Sequence, residues 1–254
     1  MSANTSGISD SIYTSAQQLS SGRRINSAAD DAAGLAISEK MEAQARGWEQ
    51  GAENAKDMQN LLRTAEGGLN NIADALNRIR ELSIQAKNDT NTDFERGLMQ
   101  NEVDQLLSFI QDAAKGTQFN TMSLLDGSFA DKNAATSPSG TGMTITLQDS
   151  TLITLGVDGY DLTGDFDISR IDAALDAVNQ ARANIGASYN RLEHTINAND
   201  IAHLNQVQAQ SRIADADMAK SITDQNRAQI LQQYQIFSQK EQMQRAGAAL
   251  GLLR

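Results

Sequence analysis

From Lys56 onward, apolar residues recur at alternating steps of three and four: Met58, Leu61, Leu62, Ala65, Leu69, Ile72, Ala73, Leu76, Ile79, Leu82 and Ala86. That spacing sets them on one stripe of a single long helix, close to the heptad seam of a coiled coil. Asp57, Arg63, Asn70, Asp74, Asn77 and Arg80 occupy the opposite face. Gly67 and Gly68 interrupt the stripe, each weakening the helix by roughly 1 kcal/mol relative to alanine, so they predict a bend or a close helix contact. Asn88–Thr92 is a polar turn, with Asp93 the expected cap of the next helix. Leu98, Met99, Val103, Leu106, Leu107 and Ile110 predict that second amphipathic helix, ending near Gly116. A short turn between helices makes them antiparallel neighbours.

The pattern changes between Thr117 and Asp167, a stretch rich in Thr, Ser, Gly and Asp. Met143, Ile145 and Leu147 alternate with polar residues, and Leu152–Leu155 follows a polar turn. This predicts a β-hairpin, prefaced by a surface loop over Ala130–Gly140. Helical spacing resumes at Ile168 through Ile171, Leu175, Val178, Ala181, Ile185, Tyr189, Leu192, Ile196 and Asn199, and carries on toward Ile213. A last amphipathic segment runs from about Met218 to Leu250, with Ile222, Ile230, Leu231, Tyr234 and Phe237 as its thin apolar face. Ile8, Ile12 and Leu19 give an equally thin stripe at the start. Helical stability comes mainly from tertiary packing, so neither end should be stable in isolation. The expected fold is mainly α: a long antiparallel helical coiled coil or bundle with a small β-hairpin region at the centre of the chain. Its expected divisions are a coiled-coil arm with connecting segment (1–33), two inner helical parts (34–116 and 168–215), a short variable hairpin region (117–167), and a second arm (216–254).

Composition sharpens this picture. Aromatics are 4% and Pro138 is the single proline, which suits long helical packing on Leu, Ile and Ala. A net charge of -11 disfavours nucleic acid and anionic membrane surfaces. With no cysteine there is no disulfide, thiolate metal site or cysteine nucleophile. No apolar run suits membrane insertion, and Met1–Asp10 lacks the pattern of an ordinary signal peptide, so export would need another route. His194 and His203 are too far apart along a helix to share a metal at i,i+4 spacing. Asp30-Asp31 and Asp215/Asp217 read as helix caps or subunit contacts, and Gly67-Gly68 lacks the Lys-Ser/Thr of a phosphate loop. No metal, cofactor or enzymatic activity is expected.

The ordered blocks along the chain resemble bacterial flagellins. They are Leu19-Ser20-Ser21-Gly22-Arg23-Arg24-Ile25-Asn26, Ala28-Ala29-Asp30-Asp31-Ala32-Ala33-Gly34-Leu35-Ala36-Ile37-Ser38, Arg78-Ile79-Arg80-Glu81-Leu82, Gln118-Phe119-Asn120, Ser211-Arg212-Ile213-Ala214-Asp215-Ala216-Asp217 and Leu252-Leu253-Arg254. The resemblance implies a subunit exported unfolded by the flagellar secretion apparatus and polymerised at the distal tip, beneath a filament cap, into an extracellular filament for swimming. It implies that the terminal helices pair along the filament's inner wall and that the segment around Ile222, Ile230, Leu231, Tyr234 and Phe237 is held by a flagellin export chaperone beforehand. It also implies a contact with Toll-like receptor 5 through Arg78, Leu82 and Glu102, where Asn77 stands in place of the glutamine often found in stimulatory members. Members of the family commonly begin further upstream, so a preceding stretch is expected to be missing, with polymerisation impaired. The nearest alternative is a hook–filament junction protein, which shares flagellin-like ends but usually lacks the full Asp-Asp-Ala-Ala-Gly-Leu run. A secreted enzyme would need a catalytic insert that 117–167 is too short to hold.

Overall fold

In the computed structural model, which describes residues 2–252, the long apolar stripe is part of a helix that begins well before Lys56. α1 covers Ser2–Ser21 and α2 covers Ala32–Ala86. Asp31 starts α2 by accepting a hydrogen bond from the Gly34 N–H at 2.8 Å, satisfying an amide that the helix cannot pair itself. No proline interrupts it. Leu62, Ala65, Leu69, Ile72, Leu76, Ile79 and Ala86 are all fully buried, as the three–four spacing predicts.

α3 (Asp93–Gly116) is capped by Thr92 rather than Asp93. Thr92 is extended (φ -78°, ψ 161°), so its hydroxyl reaches the Glu95 N–H, while the Glu95 carboxylate reaches back to the Thr92 N–H at 2.7 Å. This reciprocal capping box satisfies two backbone donors at once. The buried face of α3 is Met99, Val103, Leu107, Ile110 and Ala114; Leu98, expected among them, is exposed.

The central segment differs from its expected layout. β1 (Gln118–Phe119) and β2 (Met122–Ser123) form one small antiparallel pair. β3 (Lys132–Ala135) and β4 (Gly142–Ile145) form a second, with Ala134 opposite Met143. The strand beside Met143 and Ile145 is thus the stretch expected to be a loop, and Leu152–Leu155 is a single helical turn, α4. Thr151 enters that turn extended and Gly156 leaves it left-handed at φ 71°, the local geometry of a short helix with a glycine terminus. α5 (Ser169–Ala214) and α6 (Met218–Leu252) complete the chain.

Two compact units result. One is formed by Arg46–His203. Its core joins the α2 stripe to α3, to Ile171, Val178, Ile185 and Leu192 of α5, and to Leu124, Phe129, Leu147, Tyr160 and Phe166 of the central segment. The central segment therefore closes one side of the core. Tyr160 is buried against Phe166 edge-on at 6.0 Å and donates its hydroxyl to the Ser83 Oγ at 3.1 Å, so its polar tip is satisfied. Burial raises its pKa above the usual tyrosine value. Within this unit α2 and α5 are antiparallel: Gln59 reaches the Tyr189 carbonyl, and Arg80 meets Asp172 at 2.6 Å.

The turn joining β3 to β4 sits on a bare patch of α2. A Cβ added to Gly47 would lie 2.6 Å from the Pro138 Cβ, and one on Gly51 would lie 2.4 Å from the Thr136 carbonyl oxygen. Asn54 donates to the Ala135 carbonyl at 2.8 Å, and the buried Asn199 of α5 donates to the Thr136 carbonyl at 2.7 Å. The glycines admit the turn and the two asparagines satisfy its carbonyls, which would otherwise be buried unpaired.

The other unit comprises the residues up to Ala45 together with those from Leu204 on. Here α1 lies against α6. The beginning of α2 faces the end of α5 through Gln206 to Gln44 (2.9 Å) and Gln210 to Glu42 (3.3 Å).

Candidate assembly and recognition surfaces

The two groups of candidate residues lie in different units, and each is built by helical phase. On α6 the buried positions among the described side chains are Ser221 and Ala228, seven residues apart and therefore two turns along one face. Ser15 is their buried counterpart on α1. Ile230, Tyr234 and Phe237 fall on the opposite side of α6 and are 65%, 69% and 65% exposed. Ile222 and Leu231 are also exposed. Leu231 lines a groove with Ile8, Ser11 and Ser15 of α1, so it belongs with Ser221 and Ala228 to the intrachain seam, and Ile230, Tyr234 and Phe237 are left outward. An uncovered stripe of this kind marks a protein–protein surface.

Arg78 on α2 and Glu102 on α3 are brought together as expected. The Arg78 Nε donates to the Glu102 carboxylate at 2.7 Å and its Nη1 to Glu81 at 3.0 Å, with the arginine side chain 49% exposed. Those hydrogen bonds, to Glu102 first and then to Glu81, hold the guanidinium further above its already high ordinary pKa. Leu82 stands apart from them: it is buried in the core, as its place in the apolar stripe requires. Its side chain supports the surface from below, and only Arg78 and Glu102 offer polar atoms to a partner.

Sequence reasoning missed the apolar rim of this surface. Phe94, Leu98 and Phe109 project from α3 into solvent. Phe109 and Leu106 line a shallow groove with Asn71, Asp74, Ala75 and Arg78. The signal was present in the helical phase, because Phe94, Leu98 and Phe109 repeat at four and eleven residues, out of step with Met99, Val103 and Ile110. Among the described residues, no cluster of His, Cys, Asp and Glu is arranged to hold a metal.

Comparison with known proteins decides the family. The profile of the bacterial flagellin N-terminal helical region matches residues 1–130, and that of the bacterial flagellin C-terminal helical region matches residues 168–246. The chain belongs to the bacterial flagellin family. A flagellin of Halalkalibacterium halodurans is 40% identical over 94% of this chain and 90% of its own length. Flagellin FlaB2 of Treponema pallidum is 35% identical over 96% of this chain and 93% of its own. The crystal structure of Bacillus cereus flagellin shares 30% identity, covering 58% of this chain and 88% of that one with a TM-score of 0.49. Between the two matches lie residues 131–167, which hold the β3–β4 hairpin, α4 and the loop before α5; 247–254 also fall outside them.

Proposed function

We propose that this flagellin is a structural subunit that polymerises into the extracellular filament of the bacterial flagellum. The observation that carries the reading is the outward stripe of Ile230, Tyr234 and Phe237 on α6, with Ile222 exposed at its edge, opposite the side that Ser221, Ala228 and Leu231 turn toward α1. Copies of the chain are the occupants that would bury it. On this reading 1–33 and 216–254 are the arms, 34–116 and 168–215 the inner helical wall, and 117–167 the closing segment.

Before assembly the same stripe needs a cover, the role of an export chaperone that hands the chain to the flagellar secretion apparatus and on to the filament cap. No helix among the described residues is long and apolar enough to cross a membrane. The Arg78–Glu102 pair, with Phe109 beside it, is the surface proposed for Toll-like receptor 5, because an arginine flanked by an exposed aromatic has the composition of an interface anchor.

Seeding purified chain with filament fragments and following their length by electron microscopy tests the assembly role. Elongation by this chain alone is expected, and replacing both Ile230 and Phe237 with aspartate should stop it without changing the far-ultraviolet circular dichroism. Absence in the parent of both elongation, however slow, and any binding to the filament ends would overturn the filament role. Addition of only a short terminal layer would favour the hook–filament junction alternative. Removing residues 219–254 should abolish chaperone binding in calorimetry.

A further inference from the structure

Between β4 and α5 the chain runs as a strap across the Arg46–His203 unit. Leu155, Val157, Tyr160, Leu162 and Phe166 are buried along it, while Asp158, Asp161, Thr163 and Asp165 stay exposed. Tyr160 and Leu162 thus face the core on either side of an outward Asp161, the alternation of an extended strand. Neither residue belongs to a sheet; the Gln100 side chain of α3 stands where a partner strand would. Its amide nitrogen donates to the Tyr160 carbonyl at 3.0 Å, and its amide oxygen accepts the Leu162 N–H at 2.7 Å. The same nitrogen donates to the Asp104 carboxylate at 2.7 Å. An ionised carboxylate only accepts, so Asp104 fixes which end of the Gln100 amide faces which backbone group. Three turns further along α3, Gln111 accepts the Leu152 N–H at 3.3 Å.

The other two helices of the unit hold the same strap. The Tyr160 hydroxyl donates to the Ser83 Oγ of α2, which donates in turn to the Ile79 carbonyl at 2.7 Å. Arg170, in the first turn of α5, donates to the Gly156 carbonyl at 3.0 and 2.7 Å and to the Asp158 carbonyl at 3.1 Å, and its guanidinium lies over the Tyr160 ring at 5.7 Å. A slip of one residue would turn Asp161 into the core and part Tyr160 from Ser83, so all of these contacts select one register. We infer that residues 150–166 are a strap that opens and closes as one unit, latched by Gln100, and that its closure fixes the root of α5 on the α2–α3 pair. The strap itself lies outside the stretches that the two flagellin profiles match.

Native-state hydrogen exchange of the full chain at low denaturant tests this. In the parent, the amides of Leu152, Leu155, Val157 and Leu162, with Asp172 at the start of α5, should merge on one opening reaction. That opening should lie below the one that exposes Ile72 and Leu76 of α2. Separate openings residue by residue, or a merger with Ile72 and Leu76, would overturn the strap. Gln100→Leu keeps the size of the side chain but leaves the Tyr160 carbonyl and the Leu162 N–H without a partner. It should speed exchange across the whole strap set by about tenfold or more, with Ile72 and Leu76 unchanged. Gln105→Leu, at an exposed position of α3, should leave the parent rates. Unchanged rates in Gln100→Leu, acceleration at Leu162 alone, or the same acceleration in Gln105→Leu would each overturn the latch. Should Gln100→Leu fail to fold, Asp104→Ala takes its place, because it frees the Gln100 amide to turn over. A smaller acceleration of the same set is then expected, and parent-like exchange overturns the latch.

Discussion

Arg78 and Leu82 stand one helical turn apart yet divide a surface role from a packing role. Arg78 is half exposed and its partners Glu81 and Glu102 are exposed too, and ion pairs of that kind add little to stability. Arg78→Ala should therefore leave the melting temperature unchanged while weakening binding to the ectodomain of Toll-like receptor 5 by about thirtyfold, the loss typical of an arginine anchor. Leu82 is buried, and Leu82→Ala should destabilise the fold by about 2–5 kcal/mol, the usual range for emptying a core site. Thermal melting and surface plasmon resonance on the two variants check both expectations. Unchanged binding by Arg78→Ala would assign the Arg78–Glu102 pair to filament architecture alone, and a large fall in its melting temperature would make Arg78 a structural partner.

The same distinction between local pattern and tertiary contact governs the elements, and the glycines of α2 expose it. Gly67 has nothing within 4 Å of an added Cβ, whereas a Cβ on Gly51 would meet the Thr136 backbone. Gly67→Ala should stabilise the protein by about 0.5–1 kcal/mol, because alanine loses less backbone freedom in a helix. Gly51→Ala should destabilise it by about 1–3 kcal/mol, because the rigid carbonyl must move. Chemical denaturation of both variants measures the signs, and equal shifts would remove the distinction. The α2 stripe was legible in the sequence because every turn repeats the same apolar choice from Met58 to Ala86. The hairpin was not: Lys132-Asn133-Ala134-Ala135 has neither alternation nor β-branched residues, and it is strand because Met143 and Thr144 pair with it and α2 receives its turn. Leu152–Leu155 is an apolar run too short for periodicity to separate helix from strand. At Asn199 the sequence showed the position, on the apolar stripe of α5, but not the carbonyl of Thr136 that makes a buried amide tolerable there. The candidate surfaces follow the same rule: the apolar residues of α6 could be read one by one, but not that α1 would cover the side of Ser221, Ala228 and Leu231 and leave Ile230, Tyr234 and Phe237 outward.

For the molecule as a whole, carboxylates at the helix breaks and turns tie folding to pH. The Asp30 carboxylate accepts the Asn26 and Ser27 N–H groups at 3.0 and 2.8 Å, which lowers its pKa. Glu95 is lowered by the Thr92 N–H and hydroxyl at the α3 cap. Asp161 is lowered by the hydroxyl and N–H of Thr163, and Asp167 by those of Ser169 at the start of α5. Each of these groups has a folded pKa below its unfolded one, so between the two the unfolded chain binds more protons and stability rises with pH. Their contribution is complete above the ordinary carboxylate range and is lost as pH falls through the depressed folded values. The melting temperature should therefore be level from neutral pH to about 5 and fall below about 4. A variant carrying Asp30→Asn, Glu95→Gln, Asp161→Asn and Asp167→Asn should melt lower at neutral pH and lose less on acidification, since amides at these positions no longer titrate. Amide hydrogen exchange of the dilute monomer locates the loss: α1 and α6, with their thin seam, should be the least protected at every pH, and α2 from Arg46 on and α3 the most. An acid slope identical in the parent and the fourfold variant would show that these caps and turns do not carry the pH dependence.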